Sequence, residues 1–135
     1  MGGGTGGQCK TRLVDPGVTA TTATVNVTIN ATDAVALAFY FNPRNGTDGN
    51  YGIYFNGTNW YVVADSDANL VTLATSSTYA VTVQDTGSSI IVTCNGVEAT
   101  AFVGSASSTQ WTLESVSGSG SSLHFTIDAV NIDTP

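Results

Sequence analysis

Residues 39–63, FYFNPRNGTDGNYGIYFNGTNWYVV, hold eight of the chain's twelve aromatic residues, and their spacing decides the fold class. Tyr51, Ile53 and Phe55 point to one side of an extended segment while Gly52, Tyr54 and Asn56 point to the other, because side chains alternate across a strand. Asn56-Gly57-Thr58-Asn59 follows, where glycine takes a positive φ without steric cost. Trp60, Val62 and Ala64 then alternate with Tyr61 and Val63. The period is two, so the stretch predicts a tight β-hairpin whose aromatic and β-branched residues pair across the strands.

Outward from this hairpin the same period recurs. In ATVNVTINA (23–31), Val25, Val27 and Ile29 oppose Thr24, Asn26, Thr28 and Asn30. In AVALAFYFN (34–42), Val35, Leu37, Phe39 and Phe41 turn inward, leaving a small-residued face of Ala34, Ala36 and Ala38 beside Tyr40. A polar loop, NPRNGTDGN (42–50), leads into the hairpin; DSDAN (65–69) reads as a turn, 70–73 as a short strand and 75–78 as a second turn. Residues 78–99, TYAVTVQDTGSSIIVTCNGVEA, read as another hairpin, with turns at Asp85-Thr86-Gly87 and Asn95-Gly96. Short strands are expected at 100–103, 111–116 and in LHFTIDAVNID (123–133). No segment sustains a helical repeat, so the chain is expected to be all-β, an antiparallel β-sandwich. Seven residues of nearly pure glycine open the chain. They predict a flexible N-terminal arm over 1–13, with 14–135 forming one sandwich domain.

Only 10% of the residues are charged, against about 25% in a typical soluble domain. Lys10, Arg12 and Arg44 face ten carboxylates, for a net charge of −7, which repels phosphate backbones and anionic membrane surfaces. Nucleic acid and membrane are therefore excluded as expected partners. The N-terminus has no apolar segment of the secretory type, so an exit route without a signal peptide is expected if Met1 is the natural start. Cys9 and Cys94 are expected as two thiols, since their spacing does not argue for a disulfide.

Strand, Asp-Thr-Gly turn, strand and Asn-Gly at 79–97 resemble a hairpin of concanavalin A-like and laminin G-like jelly rolls. The terminal Phe125-Thr126-Ile127-Asp128-Ala129-Val130-Asn131-Ile132 resembles that superfamily's closing strand, and 50–63 its central hairpin. The resemblance covers about residues 22–133 and implies two antiparallel sheets packed face to face, without implying one activity.

Hydrolases of this superfamily carry paired carboxylates, whereas Glu98 and Glu114 lie in different segments and neither has a carboxylate two residues away. His124 alternates outward beside Leu123 and Phe125 with no nucleophile motif, so no enzyme activity and no cofactor are expected. Asp65, Asp67 and Asn69 have the spacing of half a calcium loop. Leu70 and Ser76 stand where that loop needs Gly and Glu, so no metal is expected. Four Asn-x-Thr sequons, at Asn26, Asn30, Asn45 and Asn56, are what so much Asn and Thr gives by chance.

Two functions fit these residues. The glycine arm, the lysine-poor hydroxyl-rich surface and the absence of a signal predict a non-catalytic virion protein, a phage capsid-decoration or fibre type. It would dock on capsid or sister subunits through the arm or the alanine face, as a homo-oligomer in a virion or extracellular setting. The alternative is a secreted, lectin-like carbohydrate-binding module using Tyr40, Tyr54, Asn56, Trp60 and Tyr61, whose aromatic rings stack on sugar CH surfaces while amides bond hydroxyls.

Overall fold

The structure, a computed structural model, describes residues 8–12, 21–30, 36–43, 50–103, 112–117 and 125–133. Its strands in chain order are β1 (Gln8–Arg12), β2 (Thr21–Ile29), β3 (Ala36–Asn42), β4 (Tyr51–Asn56), β5 (Trp60–Ala64), β6 (Asp67–Val71), β7 (Ser77–Asp85), β8 (Ser89–Cys94), β9 (Val97–Phe102), β10 (Thr112–Ser117) and β11 (Phe125–Asp133). All pairings are antiparallel. One sheet has the order β1-β10-β3-β4-β5-β6, the other β11-β2-β7-β8-β9. There is no helix among the described residues, as the period-two reading requires.

The alternation seen in the sequence is what divides core from surface. On β2, Ala23, Val25, Val27 and Ile29 are fully buried, while Thr24 and Thr28 on the opposite face bond across to Thr82 at 3.2 Å and Thr78 at 2.7 Å. Thr28 also donates to the Asp128 carboxylate at 2.6 Å, and Asp128 is the extra residue of a bulge in β11. The six-stranded sheet contributes Leu37, Phe39, Phe41, Ile53, Phe55, Trp60 and Val62 to the same core. Phe125 of β11 joins the sheets, its ring 5.6 Å from that of Phe39 and 6.3 Å, edge-on, from that of Trp60.

Turn chemistry sets the registers. Asn95 and Gly96 both have positive φ, 48° and 82°, in the two-residue loop that pairs Cys94 with Val97, as a type I′ hairpin demands. The expected hairpin at 51–64 forms with Phe55 opposite Trp60.

Two expectations are corrected. The segment Gln8–Arg12, assigned to the arm, pairs with β10 as an edge strand; the glycine run before it lies outside the described residues. The turn expected over 65–69 is only Asp65-Ser66, because Asp65 takes a left-handed φ of 52° and reverses the chain within two residues. Strand β6 therefore begins at Asp67, and Asp67 and Asn69 sit on its core-facing side, opposite Ala64 and Val62. They reach the other sheet's edge strand. Thr100 N–H donates to Asp67 at 2.8 Å, and the Asn69 amide donates to the Glu98 carbonyl at 2.7 Å. Inward polar side chains thus occupy backbone groups of edge strand β9 that would otherwise invite pairing with another chain.

Cys94 is a buried thiol on the core face of β8, and burial pushes its pKa from 9.0 to about 11. Across that interval the unfolded chain has released the proton that the folded chain keeps, so stability falls as pH rises from about 9 to about 11. Urea denaturation should give a smaller ΔG within that interval than near neutrality. The drop should shrink in Cys94→Ala; an equal drop in that variant would remove the thiol from the account.

Candidate functional site

The face of the six-stranded sheet turned away from the core gathers the residues with recognition chemistry. Because Leu37, Phe39 and Phe41 face inward on β3, Ala38, Tyr40 and Asn42 face outward; by the same parity Tyr54 faces outward on β4, Tyr61 on β5 and Leu70 on β6. Cross-strand register then lines these up in rows. One row runs Ala38, Tyr54, Tyr61, Leu70, and the next runs Glu114, Tyr40, Gly52, Val63.

The first row is an open platform. Tyr54 and Tyr61 are half-buried, with ring centroids 6.5 Å apart and planes tilted by 31°, and Leu70 beside them is 62% exposed. Ala38, across from Tyr54, is the one described side chain of the alanine face and is buried.

The second row is closed and polar. Tyr40 and Glu114 are opposite one another and buried. Burial first, and then the nearby Tyr54 and Glu114, together raise the Tyr40 pKa from 10.0 to about 12, so the phenol stays neutral. Asn42, two residues along, is buried with its Oδ1 lacking a hydrogen-bond partner among the described residues. An orphaned acceptor of this kind costs about 1–3 kcal/mol in desolvation.

Of the five residues expected at a binding surface, the structure brings together Tyr40, Tyr54 and Tyr61. Trp60 belongs to the core side of β5, 5% exposed, with its ring 5.1 Å from that of Phe55. Asn56 is exposed, but its Oδ1 accepts from Thr58 N–H at 2.9 Å and Asn59 N–H at 2.7 Å, which makes it the organiser of the hairpin loop. The place of Leu70 on this face and the pairing of buried Glu114 with Tyr40 were missed. Leu70 was legible had β6 been started at Asp67; the pairing of Glu114 with Tyr40 needs the sheet order, which no local pattern carries.

The half calcium loop is taken apart by the fold. Asp65 accepts from Tyr51 O–H at 2.8 Å and Asn50 N–H at 3.1 Å, while Asp67 and Asn69 serve β9. No group of three or more His, Cys, Asp or Glu is placed to hold a metal among the described residues. Glu98 and Glu114 stand on different sheets. His124 and Asn45 lie outside the described residues.

No protein-family model matches the chain, and no curated protein matches it in sequence. Among solved structures, the toad ovary galectin in complex with thio-digalactose is 8% identical, with a TM-score of 0.60 over 93% of this chain and 98% of its own. Alginate lyase A1-II′ is 13% identical, with a TM-score of 0.63 over 100% of this chain and 74% of its own. A Trypanosoma rangeli sialidase in complex with sialic acid is 13% identical, with a TM-score of 0.62 over 96% of this chain. The chain spans only 20% to 24% of the sialidase chains it matches. Nothing in these likenesses concerns virion assembly, and the docking role expected from the glycine arm and alanine face gains no support from them. At such identities they establish the fold, an antiparallel jelly-roll β-sandwich of the concanavalin A-like type.

Proposed function

We propose that this chain is a carbohydrate-binding module whose ligand lies on the outer face of the six-stranded sheet. The observation that carries the reading is the Tyr54–Tyr61 pair, two half-exposed aromatic rings side by side on a face where the core needs neither. Their ring faces suit the CH surfaces of a pyranose, and the polar groups beside them suit its hydroxyls. The fold-level likeness to galectins, one of them in complex with thio-digalactose, supports the same reading.

Calorimetric or NMR titration of the purified chain with a panel of sugars tests it. Tyr54→Ala and Tyr61→Ala should each weaken binding at least tenfold, about 1.4 kcal/mol, while leaving the near-UV spectrum folded. Absence of binding to any sugar at millimolar concentration would remove the proposal.

A further inference from the structure

The tyrosine platform does not end at Tyr61. Leu70 continues its row on edge strand β6 and also forms a wall of a cleft of about 180 Å³ at the end of the β4–β5 hairpin. Thr58 and Asn59 of the hairpin loop, Thr72 and Leu73 after β6, and the paired Trp60 and Val71 line it too. Both of its sides are held in place before any ligand arrives. Asn56 fixes the loop through its two bonds and its own N–H donates to the Asn59 carbonyl at 3.1 Å, while the Asn95 amide donates to the Thr72 carbonyl at 2.9 Å.

We infer that platform and cleft form one binding path for an uncharged oligosaccharide of at least two sugar residues, running across β4, β5 and β6 with its leading residue in the cleft. The inference rests on the carbohydrate-binding reading above and adds to it length and charge. Tyr54 to Leu70 spans two strand spacings, about 10 Å, more than one sugar ring covers, and the cleft opens beside Leu70 toward the Thr58–Asn59 end of β5. Hydroxyl, amide, aliphatic and indole groups line the cleft, with no carboxylate or cation among its described residues. Sugar hydroxyls meet Thr58, Asn59 and Thr72, and sugar CH faces meet Leu70 and Leu73. An acidic glycan would find no counter-charge there and would approach a chain of net charge −7.

The test compares the affinities of galactose, thio-digalactose and a neutral galactose trisaccharide, with an oligomannuronate of matched length as the acidic probe. A rise of tenfold or more from monosaccharide to trisaccharide is expected, with the acidic probe at least tenfold weaker than its neutral match. In Asn59→Ala and, separately, Leu70→Asp, the trisaccharide-to-monosaccharide ratio should fall toward one. In Tyr54→Ala both affinities should drop and the ratio persist. Affinity independent of length, an unchanged ratio in both cleft variants, or equal binding of the acidic probe overturns this inference and leaves the platform standing. Failure of all three neutral sugars overturns this inference, and the platform reading falls with it when the wider sugar panel also fails to bind.

Discussion

Trp60→Ala is expected to cost about 3–5 kcal/mol of folding free energy, the range for deleting a large buried aromatic side chain. The ring is 5% exposed and lies between Phe55 of its own sheet and Phe125 of the facing one, so its removal takes dispersion contacts from both layers at once. Tyr54→Ala, on the other face of the same hairpin, should cost only roughly 1 kcal/mol, because its ring is only partly buried and lies outside the core. Urea denaturation of the two variants separates scaffold from surface within one hairpin. If Trp60→Ala unfolded at the wild-type midpoint, the ring would have to be reassigned from the core.

That contrast also marks where the sequence was readable. Alternation alone put Phe39, Phe41, Ile53 and Phe55 in the core and Tyr40, Tyr54 and Tyr61 on the opposite face, because a period of two leaves only two sides to choose from. It was silent on which strands are neighbours. Strand β10 lies between β1 and β3, which are about 100 and about 75 residues away along the chain, and it is this placement that sets Glu114 against Tyr40. Trp60 and Asn56 illustrate a different limit. Both residue types are common in sugar sites, but one has the parity of the core and the other closes a turn with its side-chain oxygen. Asp65, Asp67 and Asn69 look like metal ligands in one dimension. In three, a left-handed Asp65 reverses the chain so that Asp67 and Asn69 turn inward to the β9 edge. Composition suggested the arm-mediated docking on a particle, and composition does not specify a contact.

Gly52→Val should destabilise the fold by roughly 3 kcal/mol or more, and Gly52→Ala by about 1–3 kcal/mol, the cost of forcing extra atoms into a closed space. Gly52 is buried opposite Tyr40, and a Cβ built there runs into the carbonyl oxygen of Phe39 and comes within 3.0 Å of the Tyr40 Cα. Those are backbone atoms of β3, so no rotamer change relieves the contact. Strands β3 and β4 would have to separate, weakening the ladder that pairs Leu37 with Phe55 and Ala38 with Tyr54. Thermal unfolding is the measurement, and a midpoint for Gly52→Ala equal to wild type would mean the two strands hold slack at this pair. Because Tyr54 is two residues along on the same face and pairs directly with Tyr61, displacing β4 from β3 disturbs the platform where Tyr54 meets Ala38. A substitution that never touches a ligand should therefore weaken sugar binding as well as the fold, and the two losses should appear together.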